Sequence, residues 1–282
     1  AADIATNADN ARSVFAADMD NDGDMDIVSA SWIDDTIAWY ENDGNANPSW
    51  SAADIATSAD GACYVFAADM DNDGDMDIVS ASAEDDTIAW YENLGDTDDD
   101  GILDWTAADI ATSADGARSV FVADMDNDGD MDILSASEED DTIAWYENDG
   151  NANPSWSAEN IVTDADGANS VFAADMDNDG DMDIVSASSN DDTIAWYEYT
   201  TGTSGPPWTA REIDTNADGA AAVFVADMDN DGDMDIVSVS GMDNTTAWYE
   251  NLGDTDDDGI LDWTAADIAT SGWDPYGLFV AD

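Results

Sequence analysis

Nine residues constrain this chain more than anything else in it: Asp18-Met-Asp-Asn-Asp-Gly-Asp-Met-Asp26. The stretch returns almost letter for letter at Asp69–Asp77, Asp124–Asp132, Asp175–Asp183 and Asp227–Asp235, a spacing of 51 to 55 residues. Whatever the fold, it is built from a unit of about 50 residues used repeatedly, each unit closing on this loop.

Acidic residues occupy loop positions 1, 3, 5, 7 and 9, with Gly at 6. Alternate carboxylates can then point at one cation, and the Gly permits the sharp turn that brings the far end back. An all-oxygen donor set selects a hard ion. The expected metal ligands are Asp18, Asp20, Asp22, Asp24 and Asp26 in the first loop. In the others they are Asp69, Asp71, Asp73, Asp75 and Asp77; Asp124, Asp126, Asp128, Asp130 and Asp132; Asp175, Asp177, Asp179, Asp181 and Asp183; and Asp227, Asp229, Asp231, Asp233 and Asp235. The expected cofactor is Ca²⁺, about one per repeat. A solvated acidic run would need neither the fixed Gly nor the strict alternation.

Around each loop the unit reads as four short strands. Val14-Phe-Ala-Ala leads in, Asp26-Ile-Val-Ser-Ala-Ser31 leads out, and Asp34-Asp35 turns into Thr36-Ile-Ala-Trp-Tyr-Glu41, rich in β-branched and aromatic residues. Gly44 and Pro48 mark a longer loop before Trp50 and a fourth run, Ser51–Thr57. No stretch keeps a helical period. The runs are apolar on both faces, with Ile37 and Trp39 one way and Ala38 and Tyr40 the other, so each sheet must lie between neighbours. The expectation is an all-β chain, a β-propeller of four-stranded blades, with an open β-repeat array as the alternative. It is one repeat domain, residues 1–282, with units near 7–57, 58–112, 113–163, 164–215 and 216–270, and the start of a further one at 271–282. Ala2–Thr6 reads as a fourth strand without its first three, and Asp282 as the first position of a sixth loop. Both suggest a longer array, or strands exchanged between chains.

Units two and five carry an insertion, Gly95–Asp104 and Gly253–Asp262. Asp96, Asp98, Asp100 and Asp104, and again Asp254, Asp256, Asp258 and Asp262, repeat the spacing. Ile102 and Ile260 take position 7, where only a main-chain carbonyl could serve. These are candidate extra calcium sites; an acidic hairpin tip is the alternative. Position 12, a bidentate Glu in EF-hands, is Ser29, Ser80, Ser135, Ser186 or Ser238 after the five main loops. Strands rather than helices flank the loops.

Charge excludes several functions. With 69 Asp and Glu against 3 Lys and Arg, a net charge of -66 and no His, the chain has nothing to neutralise phosphates, so neither nucleic acid nor an anionic membrane is a partner. The 44% hydrophobic content separates it from a disordered acidic tail. Five divalent ions would cancel only a small part of the charge, which points to a surface suited to salty or calcium-rich water. No apolar run is long enough to cross a bilayer as a helix. The usual catalytic bases and nucleophiles are missing, so an enzyme is not expected. The single cysteine, Cys63, stands where other units have Arg12, Arg118, Asn169 and Ala221, and that variability predicts an exposed position.

The acidic loop between two short strands, followed by Ile-Val-Ser-Ala and Ala-Trp-Tyr-Glu-Asn, resembles the FG-GAP/VCBS repeats of bacterial secreted proteins, relatives of the integrin α-subunit propeller. The resemblance covers essentially the whole chain. It implies a propeller with Ca²⁺ in the hairpin between the first two strands of each blade, with Asp18, Asp20, Asp22 and Asp26 giving carboxylates and Asp24 its carbonyl. It also implies an extracellular or cell-surface location. The Gly-Ala-Pro tripeptide of that family is absent, since Gly61-Ala62 lacks the Pro, so integrin-like partner binding does not carry over.

The resulting expectation is a calcium-binding extracellular repeat protein with a structural or adhesive role, self-associating through its end strands. A calcium-dependent carbohydrate-binding propeller and a non-catalytic domain of a larger secreted enzyme are the alternatives. Trp39-Tyr40 and its copies are expected to pack in the core rather than to form sugar platforms. Trp32 and Trp273 break the repeat pattern and are the expected exposed contact residues.

Overall fold

The computed structural model describes residues 3–98, 102–200, 207–256, 260–270 and 277–278. All regular structure among them is β-strand, in five four-stranded antiparallel meanders. The first sheet is β1 (Ala11–Ala17), β2 (Asp26–Ser31), β3 (Thr36–Asn42) and β4 (Trp50–Ala56). The second is β5 (Ala62–Ala68), β6 (Asp77–Ser82), β7 (Thr87–Asn93) and β8 (Trp105–Ala111). The third is β9 (Ala117–Ala123), β10 (Asp132–Ser137), β11 (Thr142–Asn148) and β12 (Trp156–Val162). The fourth is β13 (Ala168–Ala174), β14 (Asp183–Ser188), β15 (Thr193–Tyr199) and β16 (Trp208–Asp214). The fifth is β17 (Ala220–Ala226), β18 (Asp235–Ser240), β19 (Thr245–Asn251) and β20 (Trp263–Ala269).

Register decides what each face carries. Val28 pairs with Trp39 and Trp39 with Ala53, while Ile27 pairs with Tyr40 and Tyr40 with Ala52. Each sheet therefore has a Trp face, with Val or, in the third sheet, Leu134 opposite the ring, and an Ile–Tyr face. In the first core cluster Val28, Ile37 and Trp39 pack against Val65, Ile78 and Tyr91 of the next sheet. Three further clusters repeat this packing between the second and third, third and fourth, and fourth and fifth sheets. The first strands β1, β5, β9, β13 and β17 pack side by side from sheet to sheet. Their phenylalanines form a ladder, Phe15, Phe66, Phe121, Phe172 and Phe224, with centroids 4.3 to 4.9 Å apart except for 5.3 Å between Phe66 and Phe121. This is blade-on-blade packing of the propeller kind. Trp39 and Tyr40 are buried, as are their copies in the second to fourth sheets.

The array's two outer faces show what a junction supplies. Val14 is 68% exposed, whereas Val65, its equivalent on the second sheet, is fully buried. Full burial of such a side chain is worth roughly 1.5–3 kcal/mol. At the other end Met228 is 36% exposed, and its counterparts Met19, Met70, Met125 and Met176 are covered by the following sheet.

Three expectations are corrected. Asp3–Thr6 forms no strand. Among the described residues every fourth strand pairs with a third strand of its own sheet. Cys63 is buried, not exposed. Its Sγ donates to the Gly61 carbonyl, and Arg118 and Arg12 both lie close enough to bias its charge. Trp32 is half-buried rather than free, since the guanidinium carbons of Arg12 and Arg118 each lie 5.1 Å from its ring centroid. Trp273 and Asp282 fall outside the described residues.

Candidate metal centre

Each acidic loop joins the first strand of a sheet to the second, so the ladder fixes both of its ends. Within the first loop, Asp18 accepts the Asp22 and Gly23 N–H groups at 3.1 and 3.0 Å. Asp20 accepts the Asp22 N–H at 3.2 Å, and Asp22 accepts the Asp24 N–H at 2.9 Å. These local bonds curl the chain so that the carboxylates of positions 1, 3 and 5 converge. Position 4 is left-handed, with φ +59° at Asn21, and position 6 has φ +96° at Gly23. Asn tolerates the first; the second suits only Gly.

Positions 1, 3 and 5 come together in all five loops. Ligand oxygens of Asp18, Asp20 and Asp22 lie within 4.8 Å of one another, and the same holds for Asp69, Asp71 and Asp73, for Asp124, Asp126 and Asp128, for Asp175, Asp177 and Asp179, and for Asp227, Asp229 and Asp231. Burial, with neighbouring carboxylates adding to it, lifts Asp20 to about 6 despite the bond from the Asp22 N–H. Three anionic groups held this close repel one another, and a divalent cation would reverse the sign of that interaction. The donor set contains only oxygen, so it fits calcium better than zinc or copper.

Position 9 does a different job. Asp77 is buried, and its two oxygens accept the Met70 N–H at 3.1 Å and the Asn93 N–H at 2.8 Å. The same pair of bonds recurs at Asp26, Asp132, Asp183 and Asp235. The carboxylate thus pins the loop's second residue to the end of the third strand. Each oxygen keeps a lone pair that an ion could use. Burial pushes Asp77, Asp132 and Asp183 up to about 7.

Position 7 faces sideways. Asn21 donates to Asp75 of the next loop at 2.8 Å, Asn72 to Asp130 at 2.7 Å, and Asn178 to Asp233 at 2.9 Å. Asn127 instead reaches the Gly180 carbonyl at 3.0 Å, and Asn21 also reaches that of Gly74 at 3.3 Å. The side chains of Asp75, Asp130 and Asp233 thus each spend one oxygen on a link between neighbouring loops. Sequence reasoning missed these asparagines, although the residue recurs at position 4 of every loop. The following sheet grips the first, second and fourth loops a second time: Asn93, Asn148 and Asn251 donate to the carbonyls of Met19, Met70 and Met176.

The inserted loops follow the same plan in part. The Thr97 N–H donates to Asp104 at 3.1 Å and that of Thr255 to Asp262 at 3.0 Å, the bond that position 2 makes to position 9 in the main loops. Asp96, Asp98 and Ile102, like Asp254, Asp256 and Ile260, are described; Asp100 and Asp258 lie outside the described residues. Each insertion overhangs the preceding loop. Asp96, Ile102 and Leu103 line one crevice with Asp20, Trp39 and Asp75, and Asp254, Ile260 and Leu261 line its counterpart with Asp177, Trp196 and Asp233.

The FG-GAP-like repeat profile matches four overlapping stretches, residues 18–80, 69–135, 124–186 and 177–238. The chain belongs to the FG-GAP-like repeat family. No curated protein matches this FG-GAP-like sequence. Solved structures share its fold at low identity. One is an Agrocybe aegerita lectin that recognises non-reducing terminal N-acetylglucosamine, at 19% identity and TM-score 0.57, covering 91% of this chain and 65% of the lectin. A second is a Lactobacillus plantarum protein, at 18% and 0.60, covering 95% of this chain and 73% of that one. A third, a Bacteroides uniformis protein assigned as a 6-phosphogluconolactonase, stands at 14% and 0.61, covering 95% and 74%. The FG-GAP-like chain thus spans just under two thirds of the lectin's length.

Proposed function

We propose that this FG-GAP-like chain is a calcium-stabilised extracellular repeat protein with a structural or adhesive role, and not an enzyme. The observation that carries the calcium reading is the five-fold recurrence of one all-oxygen trio, on loops whose backbones take the same shape. The ion would be held by the carboxylates of positions 1, 3 and 5 with the carbonyl of position 7, and position 9 would complete the set. Bound there, it would cancel local repulsion and tie each hairpin to its sheet, so calcium and folding are linked.

Calorimetric titration of chelator-stripped protein tests the metal. The expected result is about five strong sites, with the melting temperature rising by many degrees. A melt unchanged between excess calcium and excess chelator would overturn it. Electron microscopy of native material tests assembly, where fibres support it and uniform single particles oppose it.

A calcium-dependent carbohydrate-binding role is the second reading. It is favoured by the likeness to a lectin and by the two crevices, where acidic groups and apolar side chains meet beside the first and fourth loops. A glycan screen with and without calcium separates it from the first.

A further inference from the structure

We infer that the calcium loops are coupled in series through the position-4 asparagines, so that ions bind cooperatively along the array. The inference rests on the calcium reading above and adds a rule for how the sites act on one another.

The coupling elements sit at all four junctions. Asn21 reaches Asp75 and Gly74, Asn72 reaches Asp130, Asn127 reaches Gly180, and Asn178 reaches Asp233. In each case the donor is one loop's position 4 and the acceptor is position 6 or 7 of the next. The donor's direction depends on its own loop, because the Asn is left-handed between the carboxylates of positions 3 and 5. Closing a loop on an ion fixes positions 3 and 5, and with them the intervening Asn. The fixed amide then holds the turn of the next loop, where Gly74 or Gly180 has a φ that costs most to order. The second loop therefore orders at less cost when the first is filled, which is positive cooperativity without a change of global shape. Since the coupling is thermodynamic, filling the second loop favours the first equally.

Charge acts in the opposite sense. Each bound ion makes the potential felt by the next less negative, so electrostatics alone would give weaker successive binding. At 1 M salt the Debye length is about 3 Å, and this opposing effect fades while the direct hydrogen bonds remain.

The fifth loop supplies the control. Asn230 has the same left-handed backbone, with φ +64°, and among the described residues no following loop receives it. Replacing Asn by Gly preserves the turn and removes only the amide.

The test is calcium titration of the whole chain in 1 M NaCl, against a chromophoric chelator, with circular dichroism to check that each variant folds. The wild type should bind with a Hill coefficient above 1. In the Asn21→Gly, Asn72→Gly, Asn127→Gly, Asn178→Gly quadruple variant it should fall towards 1, with affinity lower by on the order of 5-fold at coupled sites. Asn230→Gly should leave the Hill coefficient at the wild-type value. Calcium binding with a quadruple-variant curve that superimposes on the wild type overturns the coupling and leaves the calcium reading standing. An equal loss in Asn230→Gly also overturns it, because the amide would then act within its own loop. No calcium uptake by the wild type overturns both.

Discussion

The indole of Trp32, at the end of the first sheet's second strand, lies 5.1 Å from the guanidinium carbon of Arg118 on the third sheet. The contact passes over the second sheet, whose Cys63 is buried near Arg118 and Arg12. Most packing in the array joins each sheet to the next; this stack adds a brace between the first and third. Arg118 is held from its own sheet by Glu138. Two of the chain's three cationic side chains are thus used on one aromatic ring.

Replacing Trp32 with Ala should therefore do two things. It should destabilise the chain by about 1–3 kcal/mol, from lost cation–π contact and lost packing. It should also speed the reaction of Cys63 with a thiol reagent several-fold in the native state. Cys63 reacting at the wild-type rate in Trp32→Ala would show that its burial comes from the second sheet alone.

Position 9 and position 5 should separate cleanly. Asp77→Ala leaves the buried Met70 and Asn93 N–H groups without acceptors, a cost of roughly 1–3 kcal/mol for each. That loss should appear in chelator as well as in calcium. Asp73 carries a partly local role, so Asp73→Ala should lower the melting temperature chiefly when calcium is present. Chemical denaturation of both variants in both conditions checks this. Equal calcium dependence of the two losses would count against a structural role for Asp77.

These two roles mark where the sequence was legible. The loops, the four strands per unit and the all-β class could be read because each follows a local pattern: alternate carboxylates, short runs rich in β-branched and aromatic residues, and Trp or Gly at fixed offsets. The burial of Asp77 follows from its partner sixteen residues away, at the end of the third strand, which no local pattern reports. Cys63 misled for a related reason. Its repeat position does vary, but Arg118 and Arg12 reach it from other sheets. Asn21 and its copies stand at a fixed offset in the sequence, but nothing local to the loop gives them a role. Their use needs the sideways distance between loops, which only the packed array supplies.

Acid should act in opposite directions with and without calcium. Burial raises Asp77, Asp132 and Asp183 to about 7 from 3.8. Between these values the folded state keeps protons that the unfolded chain has released, so stability falls as pH rises from about 4 through 7. The stripped protein should then melt at a higher temperature at pH 5.5 than at pH 8. With saturating calcium the loops are held in their charged form, and protons compete with the ion. The loaded protein should melt at a lower temperature at pH 5.5 than at pH 8. Thermal scans across this range, with and without chelator, read the two slopes, and slopes of the same sign would contradict the assignment.

Two glycines distinguish backbone strain from crowding. A Cβ on Gly129 would meet nothing within 4 Å, but its φ of +100° is strained for any other residue, so Gly129→Ala should cost about 1–3 kcal/mol from strain alone. Gly150 has a φ of +67°, and its Cβ would meet the Asp130 carboxylate, the acceptor of the Asn72 amide. Gly150→Ala should therefore displace Asp130 and break the link to the second loop. Adding Asn72→Gly to Gly150→Ala should cost less than Asn72→Gly does alone, because the bond it removes is already lost. A double-mutant cycle on stability in calcium measures this coupling. Strict additivity would mean that Asp130 accommodates the methyl group without releasing Asn72.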